Sequence, residues 1–320
     1  MTARRTLAIG AAALLCGLAD VLLILGSDHF PDAGVWAVFG PLIGWSFVGT
    51  GLYAWRRRSE SRFGLLMTLT GFAWFLGPLP AADSPLVFTF GIVLGGLAGP
   101  LFGHVLLSFP TGRLPTPARR RIVLASYIII PLAPVPALLV SDADDVLTDC
   151  VGGCPRNVLL ISRHEALGDA ALALGSWLTP GLCAIAIVML VRQWRAARAP
   201  ERRSLVPVFV SGGVMVGLIA VFAITRVDAV LWAAFAALAA TPFAFLAGLA
   251  RADLKGSRGV RALMAELAGT PERADLRNAL ARALGDPELE LSFWMPELSR
   301  YVDANGAPAG LPAADDDHRT

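Results

Sequence analysis

Charge is scarce in this chain. Of its 320 residues only 16% are charged, 55% are hydrophobic, and the mean hydropathy is +0.62. Soluble domains carry about a quarter charged residues, so a soluble globular fold is excluded for most of this length. Lysine is almost missing: Lys255 is the only one, and every other basic side chain is an arginine. Histidine and cysteine occur four times each. The histidines form no cluster with carboxylates at a membrane face, and neither HExxH nor GxSxG is present, which argues against a membrane-embedded enzyme. No catalytic residue, cofactor or metal is expected, and no nucleic-acid partner. The net charge of +2 says little, because the charges are segregated along the chain.

What the chain does have is long stretches without charge. Eight apolar runs occupy about residues 7–25, 34–55, 63–79, 86–109, 122–140, 170–191, 205–225 and 230–250. A spanning helix needs about 20 mostly apolar residues, because its backbone amides must find partners inside the segment. The expected fold class is an all-α polytopic membrane protein of about eight transmembrane helices with a short α+β cytoplasmic tail. The third run is short and closes on Pro78 and Pro80. The fifth carries Pro131, Pro134 and Pro136, which predict a kink or partial unwinding. The first run follows Arg4 and Arg5 like a signal peptide, but no small-residue cleavage site follows it, so it reads as a retained span.

Arginines alternate between loops. Arg4 and Arg5 precede the first run; Arg56, Arg57, Arg58 and Arg62 follow the second; Arg113 and Arg119 to Arg121 follow the fourth. Arg192, Arg195, Arg198, Arg202 and Arg203 follow the sixth, and Arg251, Lys255, Arg258 and Arg261 the eighth. The intervening loops carry Asp28, Asp32, Asp83, Asp142, Asp144, Asp145, Asp149 and Asp228, interrupted only by Arg156, Arg163 and Arg226. The positive-inside rule then places both termini in the cytoplasm of a plasma-membrane protein. An odd number of spans would break the alternation, which supports eight. Trp36, Tyr53, Trp55 and Trp194 fall near span ends and read as interfacial anchors.

Few residues invite chemistry. Cys150 and Cys154 bracket Gly152 and Gly153 in the longest outer loop. An oxidising exterior favours a disulfide there over two free thiols. A metal site using both with His164 would still need a fourth ligand. Cys16 and Cys183 lie in apolar runs and read as packing residues. Asp20 and His104 lie inside spans, where ionisable groups are costly and often functional. Interhelical hydrogen bonding or snorkelling is the plainer reading of both, and an ionised Asp20 requires a partner. Gly91, Gly95 and Gly99 in the fourth run, and Gly212, Gly213 and Gly217 in the seventh, predict close helix packing.

The tail has its own pattern. Val260, Leu263, Met264 and Leu267 fall at helical spacing before Gly269. Thr270 and Pro271 open a second helix with Leu276, Leu280 and Leu284 on one stripe and Gly285 as its stop. Leu289, Leu291, Phe293 and Met295 alternate with polar or outward residues as in a half-buried strand. Tyr301 and Val302 begin a second strand, with a turn signal at Asn305-Gly306. These elements are too few to close a core.

Several segments carry a resemblance: Tyr53-Ala-Trp-Arg-Arg-Arg, Gly71-Phe-Ala-Trp-Phe-Leu, Leu107-Ser-Phe-Pro-Thr-Gly-Arg-Leu, Cys154-Pro-Arg-Asn and Trp194-Arg-Ala-Ala-Arg-Ala-Pro-Glu-Arg-Arg. In this order they resemble the membrane part of actinobacterial two-component sensor histidine kinases. Leu276-Arg-Asn-Ala-Leu-Ala-Arg-Ala-Leu-Gly-Asp-Pro, Phe293-Trp-x-Pro and Tyr301-Val-Asp-Ala-Asn-Gly are similar to the start of their GAF-like domain. The resemblance covers residues 50 to 310. It implies a membrane sensor domain at 1–250, a signalling helix at 251–269, an incomplete GAF-like segment at 270–310 and a disordered acidic tail at 311–320. Such kinases continue into a phosphoacceptor hairpin and an ATP-binding domain, and neither is in this sequence. His318 lies in a charged tail without an apolar stripe. The expected role is therefore a non-catalytic input module, truncated or stand-alone, that passes an envelope signal to the stripe of Val260, Leu263, Met264 and Leu267. Its expected partners are membrane lipid and either a second copy or a histidine kinase. A transporter or channel is the alternative, opposed by the scarcity of intramembrane charge and the lack of paired interrupted spans. A non-catalytic partner of a full-length kinase is a further one.

Overall fold

The computed structural model describes residues 2–58, 60–109, 111–146, 150–196, 227–267, 291–296 and 300–303, with positions 206, 210–212, 214, 218 and 221 between. For 251–267, and for 145, 176, 179, 180, 183, 193, 196 and 249, it describes the backbone alone. Most of the seventh apolar run, the helix expected after Thr270, the Asn305-Gly306 turn and the 311–320 tail with His318 lie outside the described residues. The chain divides into two compact units, Met1–Gly248 and Leu249–Thr320.

The first unit is helical. Its α-helices with both ends described are α1 (Ala3–Leu25), α2 (Ala33–Arg57), α3 (Phe63–Trp74), α4 (Pro85–Gly95), α5 (Ala98–Ser108), α6 (Pro117–Leu132), α7 (Val135–Val140), α8 (Ala143–Val146) and α9 (Glu165–Ala196). A further helix, α10 (Asp228–Leu267), begins in this unit. Among the described residues six segments are long and apolar enough to cross a membrane. They are Ala3–Leu25, Ala33–Arg57, Phe63–Ala81, Pro85–Ser108, Pro117–Val140 and Asp228–Gly248.

Proline and glycine shape these spans as their chemistry requires. The fifth breaks after Leu132 and resumes at Val135, within its proline cluster. The fourth is also divided, with α4 ending at Gly95 and α5 starting at Ala98. Gly91, Gly95 and Gly99 therefore do not line one straight helix face, as their spacing suggested. A Cβ on Gly91 would press on Leu79, one on Gly96 would lie 3.2 Å from Pro131 Cα, and Gly99 faces open space.

The tightest contact lies between α2 and α3. Gly51 on α2 opposes Thr68 and Gly64 on α3, and Gly71 on α3 opposes Gly44 and Val48 on α2. Without side chains at these positions the two backbones approach directly, which is how membrane helices gain dispersion energy when lipid supplies no hydrophobic drive. Helix α1 lies on α2 through Ala13, which packs with Val48, Leu52 and Phe75. Its opposite face exposes Leu14, Leu15, Leu18, Leu22 and Leu25, the surface expected against acyl chains.

In the second unit β1 (Phe293–Met295) pairs antiparallel with β2 (Arg300–Val302), placing Phe293 opposite Val302 and Trp294 opposite Tyr301. Phe293 and Met295 are half-buried while Trp294 is exposed, the alternation that the sequence predicts. Val302 is fully buried, and the Trp294 and Tyr301 rings meet at 5.0 Å on the other side.

Candidate functional site

Loops that the arginine pattern assigns to one side meet in space. At the acidic end of the first unit, His29 Nε2 lies 2.9 Å from the Pro80 carbonyl, and Nδ1 lies 3.2 Å from Ser27 Oγ and 3.6 Å from Asp83. The carbonyl has only lone pairs, so Nε2–H donates to it. His29 is 7% exposed, its ring meets Phe88 edge-on, and its own carbonyl accepts the Val151 amide. Loops 26–32, 78–84 and 150–158 thus converge on one residue. At the opposite end Ser61 Oγ donates to the Thr111 carbonyl, and Gly112, at φ +74°, abuts the Phe63 backbone.

The acidic end is organised by Asn157. Its amide nitrogen donates to the Leu138 and Ser141 carbonyls at 2.6 and 3.0 Å, satisfying the last turn of α7, and its oxygen accepts the Leu159 amide. The Val158 amide donates to Thr89 Oγ1 in α4. Cys150 and Cys154 are joined by a disulfide, with Cα atoms 5.4 Å apart, and the Cys154 amide donates to Asp144 at 2.6 Å. Asp144 and the two sulfurs lie within 4.8 Å of one another. The sulfurs are bonded to each other, so they offer no thiolate to a metal. His164 lies on an exposed stretch, where its amide donates to the Val140 carbonyl, and Arg163 pairs with Asp142.

Inside the spans, polar side chains bond nearby. Thr50, Thr68, Thr70, Ser108 and Thr241 donate to carbonyls one turn earlier. The Trp45 indole crosses from α2 to the Ala13 carbonyl of α1, and Trp74 crosses from α3 to the Gly40 carbonyl of α2, both at 2.9 Å. His104 Nδ1 lies 3.1 Å from the Tyr127 hydroxyl, linking α5 to α6. Asp20 is the exception. It is 5% exposed, and its Oδ2 is the buried side-chain polar atom without a hydrogen-bond partner among the described residues. It lines a cavity of about 590 Å³ whose other walls include Cys16, Leu69, Phe72, Ala73 and Leu76.

Helix α10 is gripped at two levels. Near its start Trp232 and Phe235 pack on Trp36 and Phe39 of α2, so Trp36 anchors a neighbouring helix. Further along, Phe245 is fully buried between Phe63 and Phe109, with ring centroids 5.5 and 5.6 Å away. Val260, Leu263, Met264 and Leu267 lie on the same helix beyond this point.

Sequence reasoning passed over His29, Asn157, Thr89 and Phe245. Asn157 had a signal, since it ends the Cys154-Pro-Arg-Asn segment. His29 had only its place between Asp28 and Asp32, two residues after Ser27. No protein-family model, characterised protein or solved structure matches this chain.

Proposed function

We propose that the chain is a membrane-embedded sensory module of the histidine-kinase input type, with eight spans and both termini in the cytoplasm. The observation that carries this reading is α10. Its Phe245 is held between α3 and the end of α5, and the same helix runs on without a break to Leu267. At 40 residues it is about 60 Å long, roughly twice the bilayer hydrocarbon thickness. The stripe is thereby joined through one helical backbone to the part of α10 that Phe245 anchors. The motifs resembling sensor kinases, and the meeting of loops that the arginine pattern puts on one side, support the same reading. The resemblance makes the matching partner a second copy or a full-length kinase, through the stripe Val260, Leu263, Met264 and Leu267.

The test is disulfide crosslinking in membranes of single-cysteine variants at positions 258–268, with Cys16 and Cys183 replaced by serine. Crosslinks should follow helical periodicity, and Leu263→Glu with Leu267→Glu should weaken them while insertion is unchanged. Aperiodic crosslinks, with the double variant assembling like the parent, would remove the output route. A transporter reading predicts substrate-dependent flux in vesicles instead.

A further inference from the structure

We propose that the cavity beside Asp20 binds a lipophilic ammonium ion that enters from the bilayer. The inference starts from the hydrogen-bond accounts of the spans. Buried hydroxyls and indoles find acceptors, whereas Asp20 Oδ2 is buried with no donor among the described residues. A carboxylate in apolar surroundings is costly unless a cation or donor meets it. Among the described residues the cavity wall brings neither to it: beside Asp20 there are hydrocarbon, aromatic rings and the Cys16 thiol, a weak donor that makes no hydrogen bond to Oδ2. Among the described residues no arginine, lysine or hydroxyl lines it.

Those walls also specify the ligand. An anion is repelled, and a neutral lipid brings at most a hydroxyl donor and no charge to balance the carboxylate. A bare metal ion requires several oxygen ligands, and the wall has one carboxylate. An ammonium group supplies both charge and N–H donors. Phe72 and Phe75 add aromatic surface that attracts cations, and the leucines suit an alkyl chain. The volume of about 590 Å³ lies within the usual range of small-molecule sites. Ala19 and Leu69 line the cavity and are exposed on the lipid-facing surface, so its mouth opens within the apolar belt.

The site also bears on output. Leu69, Phe72 and Ala73 belong to α3, whose first residue, Phe63, packs on Phe245 of α10. A ligand at Asp20 therefore touches the helix that holds the output helix. That the cation is the signal rests on the sensory reading above; that it binds does not.

The experiment uses the full chain in phosphatidylcholine nanodiscs with tritiated decylammonium as the probe. Binding should be saturable, and unlabelled decanol should compete about tenfold or more weakly, because it lacks the charge. Asp20→Asn should weaken decylammonium binding about tenfold or more while leaving decanol unaffected. Since Asp20→Asn could disturb packing, Ala19→Trp provides a second variant, which fills the cavity from its exposed side and keeps the carboxylate. It should also block binding. Wild-type affinity in either variant, or no saturable binding by the parent chain, overturns the site. Intact binding with no change in the 258–268 crosslinks retains the site and removes its role as the signal receptor.

Discussion

Gly49 and Gly51 are two residues apart on α2, and the same substitution should act on them in opposite directions. A Cβ on Gly51 would lie 2.6 Å from the Thr68 amide nitrogen and 3.0 Å from the Gly64 carbonyl oxygen. Comfortable non-bonded contacts begin at about 3.5 Å. Both neighbours are backbone atoms of α3, so no rotamer change relieves the contact and the two helices must part by roughly 1 Å. Separation weakens the whole seam, including the reciprocal approach of Gly71, whose Cβ would sit 2.6 Å from the Gly44 carbonyl. Overpacking costs about 1–3 kcal/mol, and a backbone-to-backbone clash belongs at the upper end. Gly49 has nothing within 4 Å of its Cβ position. Alanine there adds no clash and gains helix propensity of up to about 1 kcal/mol. Gly51→Ala should therefore fall about 2–3 kcal/mol below Gly49→Ala. For a unit of this size that separates their midpoints by roughly 4–12 °C. The assay is fluorescence-detected size exclusion after a temperature ladder in one detergent. A Gly51→Ala variant as stable as Gly49→Ala would refute the glycine seam.

Three further outcomes are expected. Asn157→Ala should leave two carbonyls at the end of α7 unbonded, costing about 1–3 kcal/mol, and should speed proteolysis of the 150–164 loop in right-side-out vesicles. A reporter active only outside the cytoplasm should work when fused after Asp144 and be silent after Ala197; the reverse pattern defeats the proposed orientation. Thiol reagents applied to intact cells without reductant should miss Cys150 and Cys154, and robust labelling of either one refutes the bridge in the native protein.

Membrane character was legible in the sequence because hydropathy is additive along the chain: each apolar run can be read without knowing its neighbours. Proline breaks were legible for the same local reason, as the interruption of the fifth span between Leu132 and Val135 shows. The hairpin of the second unit followed from alternation in Phe293, Trp294 and Met295. Packing partners were not legible. Gly51 and Gly71 lie on separate helices, and nothing in either segment says that their backbones meet. The glycines that stood out, Gly91 to Gly99, did so by spacing within one run, and that run divides at its middle. Asp20 was legible as a problem, since an intramembrane acid calls for a partner. The cavity beside it depends on which side chains of α3 face α1, and that is a tertiary fact. His29 was passed over because its three contacts come from loops distant in sequence.

The sensory proposal carries an energetic demand that Phe245 can test. Moving a two-state equilibrium from 1:99 to 99:1 takes about 5.5 kcal/mol of differential ligand affinity. A hydrogen bond to a charged group contributes about 1.5–3 kcal/mol. One contact at Asp20 therefore shifts an equilibrium by roughly tenfold to a hundredfold. It can switch a module whose two arrangements are nearly balanced, and it cannot switch one held firmly in a single state. A balanced module is also sensitive to substitutions at the point of grip. Phe245→Ala removes a fully buried ring between Phe63 and Phe109 and costs the resting arrangement about 3–5 kcal/mol. That exceeds the ligand's leverage, so the variant should show its ligand-bound crosslink pattern at 258–268 with no decylammonium present. It should still bind decylammonium, because Asp20 and its cavity lie away from the Phe63 end of α3. If Phe245→Ala inserts and binds normally yet keeps the resting pattern and its ligand response, α10 is not coupled through this cluster, and the route from cavity to output is wrong.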